Sequence, residues 1–181
     1  MSIEGYRRQD GLTLIELVMF IVIVSVGIAG ILAVLNLTVQ RSADPIAPKQ
    51  ALSIAEALME EVELAPFTYC DPDDANAAAA TSAGGCTTQP EVLGPEAGDA
   101  RPFDNVSDYN GFTMAGITDL STGTPVAGLE AYSAAVTVAP TALGSVPAGD
   151  AVLIQVTVTG PGTTQVVLEG YRTRYAPNAV P

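Results

Sequence analysis

The chain has 181 residues, seven of them basic and twenty acidic, with a formal charge of −13 and neither histidine nor tryptophan. Such a balance repels nucleic acid and anionic membrane surfaces, and so excludes an anion-seeking protein. Without histidine the commonest general base and metal ligand is missing. No nucleophile–base pair or phosphate loop stands out either, so the chain reads as a non-enzyme with no catalytic residue, metal ligand set or cofactor.

Residues 17–37 read LVMFIVIVSVGIAGILAVLNL, a run without a charge. It is long enough to cross a hydrocarbon core of about 30 Å as a helix. Arg7 and Arg8 precede it and Arg41 follows it. The leading arginines favour an amino terminus in the cytoplasm and a remainder on the far side of the membrane. The run is longer than the roughly 7–15 residue core of a secretory signal, and no A-x-A-like site follows. A plain anchor would leave two residues unexplained: Gly11, and the carboxylate of Glu16 on the first turn of the apolar helix, where an ionisable group is costly and usually has a role.

The segment Gly11-Leu12-Thr13-Leu14-Ile15-Glu16-Leu17 resembles the cleavage motif of type IV prepilins. The resemblance implies a leader at 1–11, cut after Gly11 by an inner-membrane prepilin peptidase that also N-methylates Leu12. Phenylalanine is the usual residue at that place in the family, so Leu12 departs from the pattern. Once Leu12 is the terminus, its positive amine lies one helical turn from Glu16. In a filament the amine of one subunit can meet Glu16 of a neighbour, because two buried charges are tolerable only when paired. Glu16 snorkelling alone to the headgroups is the other reading. The partners implied are the peptidase and other pilin subunits. The location implied is the inner membrane by a single span at 12–38 with a periplasmic head, then the pilus at the cell surface.

Beyond the span, Asp44-Pro45 and Ala47-Pro48 predict a kink or a local melt, with Ser42 or Asp44 capping a restart at Pro45. The amphipathic continuation at 39–64 has its clearest helical pattern over 49–64. There Ala51, Ile54, Ala55, Leu58, Met59 and Val62 form an apolar stripe, and Glu56, Glu60, Glu61 and Glu63 are expected in solvent. Pro66 ends the helix. Were the run from Leu12 to Leu64 helical throughout, it would reach about 80 Å.

Residues 65–111 lack periodicity and form a connecting loop region. Cys70 and Cys86, the two cysteines, lie on the exported side and read as a disulfide. Closing that loop is worth about 3 kcal/mol on the entropic model. The acids Asp71, Asp73 and Asp74 are expected in a solvated loop. Asp104, Asp108 and Asn110 could offer oxygens to calcium, but their spacing misses the calcium-loop pattern, and a self-capping turn cluster is the reading adopted. From 112 to 181 four β-rich runs follow: 111–117, 130–139 (alternating around Tyr132, Ala134, Val136 and Val138), 151–159 (Val152, Ile154, Val156 and Val158 on one face) and 165–175 (Val167, Glu169, Tyr171 and Thr173 alternating). They predict an antiparallel meander packed on the 49–64 helix, an α+β head of the type IV pilin kind.

Residues 42–45, 55–62, 66–67 and 101–111 further resemble minor pilins of the mannose-sensitive haemagglutinin (MSHA) pilus system. That implies a low-abundance subunit for initiation or the tip. A type II secretion pseudopilin shares the same leader, and an enzyme tethered by one span is the third class considered.

Overall fold

In the computed structural model, the structure describes residues 11, 13–41, 45–178 and 180. The predicted Ser42 or Asp44 cap, Leu12 and the leader arginines lie outside the described residues.

The chain divides into two compact units, the first ending at Pro45 and the second beginning at Ile46. The first holds one helix, α1 (Leu14–Arg41). Its stretch Leu14–Asn36 has a mean hydropathy of 3.0, and none of it is buried within the protein. The Ser25 hydroxyl donates to the Ile21 carbonyl at 2.6 Å, so the one hydroxyl on this stretch returns to its own backbone. This is how a polar side chain is accommodated where water is absent.

The second unit opens with α2 (Ile46–Leu64), which starts three residues before the periodic pattern predicted. Pro48 falls in its first turn, where a missing N–H costs nothing because those donors have no intrahelical acceptor. Ala51, Ile54, Ala55, Leu58 and Val62 are buried as a stripe that packs on β3 and β4 of a four-stranded sheet. The strands are β1 (Thr113–Ala115), β2 (Ser133–Pro140), β3 (Ala151–Thr159) and β4 (Gln165–Thr173). They run in sequence order, each antiparallel to the next. The α+β meander is therefore as expected, with β1 shorter than its sequence run.

The register sets rows of side chains across the inner face: Ala134–Val158–Val166, Val136–Val156–Leu168 and Val138–Ile154–Gly170. Val136, Val138, Ile154, Val156 and Val158 are almost wholly buried. On β4 the inward residues are Val166, Leu168 and Gly170, while Val167, Glu169 and Tyr171 point outward. Side chains of α2 lie over Gly170: a Cβ there would lie 3.1 Å from the Met59 sulfur and 2.6 Å from a Glu63 carboxylate oxygen. The absent side chain leaves room for the helix.

Between α2 and the sheet, residues 65–112 fold into turns and two short 3₁₀ helices, η1 (Ala83–Gly85) and η2 (Val106–Tyr109). Phe103 meets Tyr109 and Phe112 edge-on, with centroids 4.9 and 5.7 Å apart. The far end of β4 ties this segment down. The Arg174 guanidinium lies over the rings of Phe67 and Tyr69 at 3.8 and 4.4 Å and donates to the Thr68 carbonyl. The Asn178 amide donates to the carbonyls of Ala77 and Ala80.

Candidate functional site

The start of α1 is organised by Thr13. Its hydroxyl oxygen accepts from the Glu16 amide at 3.4 Å, and its carbonyl accepts from Leu17 at 3.1 Å. Thr13 is thus the N-cap and Glu16 the third helical residue, the T-x-x-E spacing of a capping box. The sequence carried that signal, but it was not used. An acid in the first turn also faces the positive end of the helix dipole. Gly11 is exposed and non-helical, and a Cβ built on it would meet nothing within 4 Å. The described residues therefore give no steric reason for glycine at this position.

In the second unit Cys70 and Cys86 are bonded, with Cα atoms 5.5 Å apart. Two expectations for the surrounding acids fail. Asp71 and Asp74 are buried, not solvated. The Asp74 carboxylate accepts from the amides of Asn76, Thr87, Thr88 and Gln89 at 2.7–3.0 Å. Those backbone donors hold its pKa far below the usual carboxylate range. One carboxylate thus orders the Ala- and Gly-rich loop between the cysteines, which local pattern could not reveal because its donors lie 13–15 residues away.

Glu61 is also not in solvent. Its side chain is 7% exposed and takes both ends of a fork from Arg101, Nε–Oε1 at 2.7 Å and Nη2–Oε2 at 2.5 Å. The Tyr109 hydroxyl donates to it at 2.9 Å, and Arg101 Nη1 donates to the Thr118 carbonyl and hydroxyl at 3.2 Å. The pairing raises the Arg101 pKa, while burial beside the Glu61 carboxylate pushes the Tyr109 phenol up. Helical periodicity places Glu61 off the apolar stripe; only the folding-back of residues 101–118 covers it.

Of the predicted turn cluster Asp104, Asp108 and Asn110, Asp108 caps η2, while the Asn110 side chain instead accepts from the Val138 amide at 3.1 Å. Asn105 accepts from the Ser107 amide, and Asp108 Oδ2 accepts from the Asn105 amide at 3.0 Å. Around it stand more acids. One oxygen from each of Glu91, Glu96 and Asp108 lies within 4.8 Å of the others, and Asp71, Asp73 and Asp104 form a second such group. Burial and mutual repulsion push Glu91 and Asp108 well above the usual carboxylate range. Glu91 and Glu96 were not singled out in the sequence; nothing in their spacing marks them.

Residues 6–32 match the family model described as the prokaryotic N-terminal methylation motif. No curated protein and no solved structure matches the chain. A methylation motif at the start of a long apolar helix, followed in the sequence by an α+β unit with an antiparallel four-stranded sheet, supports a type IV prepilin-like protein. The motif supports a pilin or pseudopilin in general terms and implies processing by a prepilin peptidase and assembly with other pilins.

Proposed function

We propose that this chain is a minor subunit of an MSHA-like type IV pilus, similar to MshD, acting in assembly or initiation at the filament tip. The observation that carries the filament reading is the methylation motif, with Glu16 held on a capped first turn. On this reading the leader ends at Gly11, and Leu12 becomes a methylated terminus. Glu16 receives the terminal amine of a neighbour inside the apolar bundle, while the acidic head stands in the periplasm before assembly. The minor rank rests on the resemblance at residues 42–45, 55–62, 66–67 and 101–111. The composition of the cysteine loop does not add to it, since Asp74 orders that loop. A type II secretion pseudopilin is supported by the same motif, and the kind of filament recovered separates the two.

The test is made in the cell of origin. Intact mass of the wild-type membrane protein should begin at a methylated Leu12, and replacing Gly11 by a bulky residue should leave the leader attached. Glu16→Val should still insert and be cut, since the span becomes more apolar, yet be missing from sheared surface filaments. Mature protein from the Gly11 variant, or normal incorporation of the Glu16 variant, would refute the processing and pairing roles. A subunit as abundant as the principal pilin would refute the minor rank, and recovery only in short periplasmic filaments would favour the pseudopilin.

A further inference from the structure

The connecting region contains a group of oxygens that its own hydrogen bonds leave unbalanced. Asp108 is 0% exposed, and its Oδ1 receives no well-formed hydrogen bond, standing instead against the carboxyl of Glu96; both carboxylate oxygens of Glu91 are likewise buried and receive none, with the Ser107 hydroxyl nearby. A buried acceptor left unpaired costs about 1–3 kcal/mol, and more when charged. Here the unpaired atoms belong to a triad, with Glu96, whose contributed oxygens lie within 4.8 Å of each other. No basic side chain among the described residues forms an ion pair with them: Arg101 is engaged by Glu61, and Arg174, which acts on Glu91 only at longer range, is paired with Asp150. The Asp71, Asp73 and Asp104 group adds further negative potential, since Asp71 and Asp104 both act on the triad electrostatically.

We propose that Glu91, Glu96 and Asp108 bind a calcium ion. The three oxygens lie no more than 4.8 Å from one another, so a central ion stands within about 2.8 Å of all three, and a small inward shift brings them to the calcium–oxygen distance of 2.3–2.6 Å. The donors are all hard oxygens. The chain has no histidine, and both cysteines are spent in the disulfide, which disfavours zinc and softer metals. Calcium suits the site better than magnesium, which demands a near-ideal octahedron and gives up water reluctantly. The ion would supply the positive charge that buried Asp108 and Glu91 lack.

It would also join two arms of the connecting region. Glu91 follows the Cys70–Pro90 bridge, and its amide donates to the Tyr69 carbonyl; Gly94 donates to Ser107 on η2, the helix that carries Asp108. Sequence pattern misses the site because the three ligands come from two separate turns.

The experiment uses the full chain in detergent, stripped with a chelator, and follows thermal unfolding and calorimetric binding as CaCl₂ or MgCl₂ is added. Calcium should raise the unfolding midpoint in a saturable way, with a dissociation constant in the range of extracellular sites, about 0.1–1 mM, and magnesium should do markedly less. Glu91→Gln with Asp108→Asn removes two ligand charges and should abolish the calcium response. Its metal-free midpoint should not fall, since each amide keeps the shape of the carboxyl it replaces and removes the mutual repulsion of the acids. Should that variant fail to fold, Glu96→Gln, at the more open edge of the triad, should weaken calcium binding at least tenfold on its own. Terbium luminescence sensitised by Tyr109, one residue from Asp108, gives a second readout that the same substitutions should extinguish. The proposal is overturned by no calcium response up to about 10 mM, ten times the weak end of that range, by an equal response to magnesium, or by a response that survives the substitutions. The last outcome would move binding to the Asp71, Asp73 and Asp104 group or to diffuse screening.

Discussion

Replacing Arg101 by methionine tests how residues 101–118 are fastened to α2. Methionine keeps much of the side chain's length and apolar stem but removes the guanidinium. Glu61, 7% exposed, would keep only the Tyr109 hydroxyl as a partner. Removing one member of a buried pair typically costs about 3–5 kcal/mol, because the other charge is stranded. For a unit of the size of Ile46–Pro181, 1 kcal/mol corresponds to roughly 3–5 °C in midpoint. The expected fall is therefore on the order of 10–20 °C. Adding Glu61→Leu should return most of it, leaving a deficit of about 1 kcal/mol for the unpaired Tyr109 hydroxyl. Urea or thermal unfolding of the full chain in detergent, read for both single variants and the double, gives the coupling energy, expected to be at least about 2 kcal/mol. If the two single changes simply add, or Arg101→Met costs under about 1 kcal/mol, the pair is a surface contact and the reasoning fails.

Three other outcomes are expected. Cys70→Ser should lower head stability by about 2–4 kcal/mol, seen as an earlier unfolding midpoint in non-reducing buffer and no further loss on adding a reductant. Asp74 has a folded pKa below its unfolded value of about 3.9, so its contribution is complete above that pH and is lost as pH falls through the folded value. Asp74→Asn should accordingly open the 71–89 loop to protease at neutral pH and flatten the loss of stability as pH falls below about 4 relative to wild type; parallel pH profiles would contradict this. Gly160→Ala should cost about 1–3 kcal/mol by overpacking, since the new Cβ would fall 2.5 Å from the buried Tyr132 ring, whose hydroxyl donates to Gln50. Far-UV dichroism unchanged with a lowered urea midpoint is the expected signature.

Sequence alone reached far where the physics is local or periodic. The apolar run and its first-turn acid are legible because a membrane span needs about twenty consecutive apolar residues. The stripe on α2 and the alternation on β2 and β3 are legible because periods of 3.6 and 2 expose one face to the core. The face of β4 was not, since Val167 and Tyr171 are as apolar as the inward Val166 and Leu168, and only pairing with β3 fixes which side α2 covers. Tertiary structure also decided the fate of the acids. Charge predicts solvent for Glu61, Asp71 and Asp74, yet the chain turns back over each of them. Arg101 reaches Glu61 across 40 residues, and the Thr87–Gln89 amides reach Asp74 across 13–15. Long-range contacts of this kind leave no period in the sequence, so in the connecting region composition suggested a loose loop where the fold built an ordered one.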